Sequence, residues 1–244
     1  MADALSRLET LNKSYKYLSG AKDVLDNTLK VKKLAESDPR DIDALRKVAG
    51  VSSKVYAPLK KFLSGVHKEV NETIKAGFPE IPDPSLETRK RMEKIARSSG
   101  PNTPGFEKEL DAYIKTLTRY ERDLRERDSY MQMVIAKCEL NQKNYMQMQG
   151  VISSTMKALK AAFAAIPEAR SEVGGEILKI MEAGIEKHPQ GIAIAFGRLK
   201  TAAAAHQKEI RVQHKRAKSA LKVAGDRKLR LLMEDASAFF KKLF

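Results

Sequence analysis

A chain of 244 residues, 42% apolar and 32% charged, can bury one large core or two small ones, and it is too hydrophobic to remain disordered. Its single cysteine, Cys138, excludes an intramolecular disulfide framework and a multi-cysteine zinc site. The net charge of +15 is unevenly spread. Residues 1–100 carry 20 basic and 14 acidic side chains, residues 101–187 carry 13 of each, and residues 188–244 carry 13 against 4, which points to an anionic partner for the last quarter.

The opening run MADALSRLETLNKSYKYL is amphipathic from its first turn and lacks the apolar stretch of a secretory signal. No segment reaches the roughly eighteen apolar residues of a membrane-crossing helix. The protein is therefore expected to be cytoplasmic, or exported without a cleavable signal peptide, with peripheral attachment as its mode of membrane contact.

Residues 2–35 read as a first helix with Leu8, Leu11, Tyr15, Leu18, Leu25 and Leu29 on one face. Ser37, Asp38 and Pro39 interrupt it. A second helix over 41–76 carries Leu45, Val48, Val55, Leu59, Phe62 and Val66, with a kink expected before Pro58 and a stop at Gly77. Three prolines in GFPEIPDPS make 77–85 a rigid connection, followed by a short basic helix over 86–97 and a second loop, SSGPNTPG. The expected organisation is a helical pair over 1–77, a Pro/Gly-rich connection over 78–105, and a long-helix hairpin over 106–244.

The stretch from Phe106 to Ile166 organises the rest. Alternate steps of three and four residues meet eighteen positions, fifteen of them apolar or aromatic, which is the repeat of a helix in a coiled-coil or bundle seam. One row holds Leu110, Leu117, Leu124, Met131, Cys138, Tyr145, Ile152 and Leu159. The other row holds Phe106, Tyr113, Tyr120, Val134 and Met148, with polar Arg127, Asn141 and Thr155 among them. Polar residues in a seam fix register or partner choice at a cost in stability. The preferred expectation is instead that the helix rotates slightly at those three points and presents Ile114, Ile135, Met156 and Phe163, because 3.6 residues per turn does not match 3.5. No proline intervenes before Pro167, so one helix of roughly 90 Å is allowed. Cys138, inside the seam, is expected to be a buried structural thiol.

A weaker helix over 168–187 contains three glycines, and HisProGlnGly at 188–191 reads as a further break. The last helix runs from about 192, with Ile192, Phe196, Leu199, Ala203, His206 and Ile210 as its apolar row. No alternating run suggests a strand. The expected fold is all-α, an elongated bundle of long antiparallel helices with coiled-coil-like packing, and self-association through the seam is a further expectation.

Chemistry-bearing patterns are absent. The sequence has no G-x-G-x-x-G, G-x-x-x-x-G-K-[ST], G-x-S-x-G or H-E-x-x-H, and no Glu-x-x-His of the kind that lines a di-iron bundle. Its four histidines lack the convergence a metal needs, so His206 reads as a seam residue and His214 as part of a solvated basic face. No catalytic residue, cofactor or metal is expected.

The basic track of the last helix is the functional lead. Lys208, Arg211, Lys215, Lys218 and Lys222 recur at three- and four-residue spacing, a stripe of about 20 Å, and Arg227 and Lys228 extend it. Such a stripe is either a solvated helix face that keeps the protein soluble by its charge or a match for anionic headgroups or nucleic-acid phosphates. Because no aromatic side chain interleaves it for base stacking, an anionic membrane or an acidic protein is the favoured partner and nucleic acid the alternative. Beyond it, Leu229, Leu232, Met233, Phe240, Leu243 and Phe244 share one face of an amphipathic end, which suits either a membrane interface or docking on the bundle. The expected function is a non-enzymatic helical scaffold or interaction protein that contacts an anionic surface. The alternatives are a membrane-active α-helical toxin or effector, and a nucleic-acid-binding protein.

Overall fold

The computed structural model describes residues 60–165 and 187–243. The expected helix over 2–35, residues 41–59 of the expected second helix, the kink before Pro58 and residues 168–186 of the expected weaker helix lie outside the described residues, as do Phe244 and the side chains of Leu159, Thr155, Met156, Phe163, Phe240 and Leu243. The protein is all-α: four helices and no strand occur among the described residues. We number them α1 (60–76), α2 (Ser85–Ser98), α3 (Pro104–Ala165) and α4 (His188–Leu243). The chain divides into two compact units, one of residues 1–77 with 136–202 and the other of 78–135 with 203–244, so that α3 and α4 each contribute to both.

Helix boundaries follow local chemistry. Thr103 caps α3: its Oγ1 accepts the backbone N–H of Phe106 at 3.3 Å and its carbonyl accepts that of Glu107 at 3.1 Å. Pro104 occupies the first helical position, where a missing N–H costs nothing. The same argument explains a difference at 188–191. HisProGlnGly forms the first turn of α4 rather than a break, because the first four N–H groups of a helix have no intrahelical acceptor and Pro189 gives up none that is used. Gly77 ends α1 at φ +65°, its N–H reaching the Thr73 and Ile74 carbonyls. Asp83 anchors the start of α2 by accepting the Ser85 N–H at 2.9 Å and its hydroxyl at 2.6 Å.

In the unit that contains α1, Leu63, Val66 and Val70 pack with Cys138, Tyr145, Met148 and Ile152 of α3 and with Ile192, Phe196 and Leu199 of α4 in one buried set. Phe62 is only half-buried, so the α1 face runs through 63, 66 and 70 and not through the expected Phe62. Tyr145 and Phe196 stack with centroids 5.8 Å apart, Lys200 pairs with Glu139 at 3.3 Å, and Gln149 donates to Gln190. Partner numbers on α4 fall as those on α3 rise, so the helices are antiparallel. A Cβ on Gly191 would lie 3.4 Å from the His67 ring, so at this glycine the bare backbone of α4 leaves room for that side chain.

In the other unit, α3 contributes buried Phe106, Leu110, Tyr113, Leu117, Tyr120, Leu124, Met131 and Val134, and α4 contributes Ala203, Ile210, Ala217, Ala224 and Leu231. Those five α4 positions repeat every seven residues, the coiled-coil period. Aromatic and leucine side chains on one helix opposite alanine on the other is the large-to-small complementarity that fills a seam to native density. Here too the helices are antiparallel, with Tyr120 Oη donating to Gln213 and Glu121 facing His214. Ile81 of the connection is buried, whereas α2 buries only Ser85 and Thr88 and is tied to α3 by Arg91–Glu109 at 3.2 Å.

Of the seam residues, Leu110, Leu117, Leu124, Met131, Tyr145 and Ile152 are all buried. The expected rotation at the polar positions does not occur at Asn141, which is itself buried, while Ile114 and Ile135 stay half-buried and Arg127 is half-buried beside buried Tyr130. The seam keeps its 3.5-residue step because α4 carries the same step opposite it.

Candidate anionic-surface site

The site lies on the solvent side of α4 within the unit of residues 78–135 and 203–244. The seven-residue row Ala203, Ile210, Ala217, Ala224 and Leu231 turns one face of the helix inward, and Gln207 is buried beside it. A helix with one fixed inward face has no freedom over its outward one. Lys208, Arg211, Lys215, Lys218 and Lys222 all fall on the outward face and are exposed.

Their surroundings separate them. Arg211 Nε is held 2.8 Å from Asp128 Oδ1, so its charge is matched within the fold. Lys208, Lys215, Lys218 and Lys222 pair with no carboxylate among the described residues. Arg227 and Lys228 are half-buried and bonded at the surface to the start of α3 and the loop before it: Arg227 Nη2 donates to Asn102 Oδ1 at 2.5 Å and to the Pro101 carbonyl, and Lys228 Nζ sits 2.5 Å from Asp111. The structure thus brings four lysines together on one open stripe and removes three of the seven expected cations to internal bonds. Asp226 is the acidic neighbour at the stripe's edge and is also exposed.

The apolar end of α4 divides in the same way. Leu231 docks, 5% exposed, while Leu229, Leu232 and Met233 remain 59%, 56% and 65% exposed.

Several features had no signal in the sequence. Phe78 stacks on His206 with centroids 5.5 Å apart, and Gln207, not His206, fills the buried position there. His214 is half-buried and bonded to Glu121 instead of joining the solvated basic face. That bond, followed by one from Arg125, holds the Glu121 carboxyl below the usual carboxylate range. Burial pushes the Cys138 thiol up to about 11, against a smaller opposing pull from Lys200, so the thiolate that reactivity needs is disfavoured. Among the described residues no three His, Cys, Asp or Glu side chains converge as a metal would need. An open depression of about 380 Å³ on α2 is lined by Lys90, Glu93, Lys94, Arg97 and Ser98 and contains no buried polar group.

Comparison with protein-family models, with curated proteins and with solved structures finds no match to this chain. Among the described residues, no helix is long and apolar enough to cross a membrane.

Proposed function

We propose that this is a non-enzymatic helical protein that attaches peripherally to an anionic surface through α4, a bilayer of acidic phospholipid in the first place. One observation supports the reading: Lys208, Lys215, Lys218 and Lys222 stand exposed on a single helix face with no carboxylate partner among the described residues. Lysines that have already spent their charge on internal ion pairs gain little from a second anion, whereas these four retain theirs. A lysine near an anionic leaflet contributes about 1 kcal/mol, so four give roughly 4 kcal/mol, about a thousandfold in binding. The long aliphatic stems also let the ammonium groups reach headgroup phosphates without moving the helix. Lipid is preferred to nucleic acid because the stripe offers no aromatic platform on which bases would stack.

The test is sedimentation of the full chain with vesicles of phosphatidylcholine alone and of equimolar phosphatidylcholine and phosphatidylserine, at low and high salt. Binding is expected only to the anionic vesicles, weakening as salt rises. The triple variant Lys215→Glu/Lys218→Glu/Lys222→Glu is expected to abolish it with the circular dichroism spectrum unchanged. Unaltered vesicle binding by that variant, or stronger retention on duplex DNA than on anionic vesicles, would count against the reading.

A further inference from the structure

We infer that α4 does more than lie on the headgroups: its outward face pushes Leu229, Leu232 and Met233 into the acyl boundary of the bilayer, so that the C-terminal part of the helix sits deeper than the lysine stripe. The inference rests on the lipid reading above and specifies how the surface is held.

The argument starts from register. The three-four step that carries Arg211, Lys215, Lys218 and Lys222 continues along the same helix face to Leu229 and Met233, with Leu232 adjoining. At 1.5 Å per residue, Leu229 follows Lys222 by about 10 Å and Met233 by about 16 Å. Cations and bare hydrocarbon thus share one side of one helix in sequence, not opposite sides, with exposed Asp226 standing between them. The packing face of α4 is already supplied by Ala217, Ala224 and Leu231, and beside Val223, which is 69% exposed on another side of the helix, three large apolar side chains more than half exposed are left over together. Water is a poor home for them, and they lie at one end of a cationic stripe rather than scattered, which is the arrangement that marks an interaction surface.

Charge chooses the occupant. An apolar protein groove would accept the three side chains but would offer nothing to the adjoining lysines. A bilayer of acidic lipid presents phosphates at the surface and hydrocarbon within about 5–10 Å below it, matching lysines first and leucines beyond. Arg230, exposed on the same helix between Leu229 and Leu232, extends outward to the same phosphate plane by the reach of its stem. Glu234, the acidic side chain next to Met233, is drawn off by Asn102 Nδ2 at 3.3 Å.

The experiment places an environment-sensitive fluorophore on Met233→Cys and, separately, on Lys208→Cys; native Cys138 is fully buried and does not compete for the label. With equimolar phosphatidylcholine–phosphatidylserine vesicles, the probe at 233 is expected to shift to the blue and to be quenched by lipids brominated on their acyl chains. The probe at 208 is expected to stay in an aqueous environment. In parallel, Leu229→Gln/Leu232→Gln/Met233→Gln is expected to weaken vesicle binding about tenfold or more and to remove the part that survives high salt. A bound protein whose probe at 233 neither shifts nor quenches overturns the insertion while leaving surface attachment intact. Failure to bind either vesicle overturns both readings, and capture by polyglutamate in that case identifies an acidic protein as the partner.

Discussion

His214 Nε2 on α4 lies 2.7 Å from Glu121 Oε1 on α3, and Arg125 Nη2 donates to the same oxygen at 2.7 Å. Two donors on one mostly covered carboxylate favour its charged form, and the Glu121 pKa is lowered in the fold, by the His214 bond first and the Arg125 bond second. A carboxyl group whose folded pKa lies below its unfolded value of about 4.3 adds stability that is fully present above that value. The contribution is lost as pH falls through the folded pKa. Urea unfolding between about pH 5 and about pH 3 is therefore expected to lose stability less steeply for Glu121→Gln than for the unaltered protein. Parallel slopes would mean that the pair does not contribute.

Seam leucines and outward leucines differ in what a truncation removes. Leu124 is fully buried, so Leu124→Ala deletes apolar contacts and leaves a cavity, at a cost of about 2–5 kcal/mol. Leu232 is 56% exposed, and Leu232→Ala is expected to change stability by no more than about 0.5 kcal/mol. Midpoints of denaturant unfolding for the two variants check the contrast, and equal losses would contradict the assignment of faces.

Cys138 is fully buried and its thiol is pushed up to about 11. At neutral pH the native protein is expected to resist a thiol-reactive chromogen, and one equivalent is expected to react at once in denaturant. Rapid labelling of the folded protein would show that this part of the seam opens locally.

One substitution is expected to act with opposite sign at two glycines. Gly77 ends α1 at φ +65°, where a Cβ is strained, so Gly77→Ala should cost about 1 kcal/mol. Gly225 is exposed in the interior of α4, and a methyl group there would meet nothing within 4 Å, so Gly225→Ala should stabilise by about 0.5–1 kcal/mol. Thermal unfolding of each variant reads the sign directly.

Much of the seam was legible because its periodicity is local. From Phe106 to Ile152 every position on the three-four step is buried except half-buried Arg127, and a helix with that pattern has one face to hide. The α1 face was less so: Phe62 and Leu63 both fit a step that includes Val66, and only packing against α3 and α4 selected Leu63. The seven expected cations of α4 looked alike in sequence. Asp128, Asp111 and Asn102, which engage Arg211, Lys228 and Arg227, lie 83 or more residues away along the chain. No short-range pattern foretells such bonds.

By itself, then, the order of residues determined that the chain is helical, that α3 is long, and which edge of it is greasy, because helix periodicity depends on neighbours three and four places away. Which lysines pair with no carboxylate among the described residues, and that Leu231 docks while Leu229, Leu232 and Met233 stay in water, was decided only when α4 lay antiparallel to α3. Antiparallel pairing selects one seven-residue row for burial, and every other side chain of the helix takes the environment which that choice leaves it.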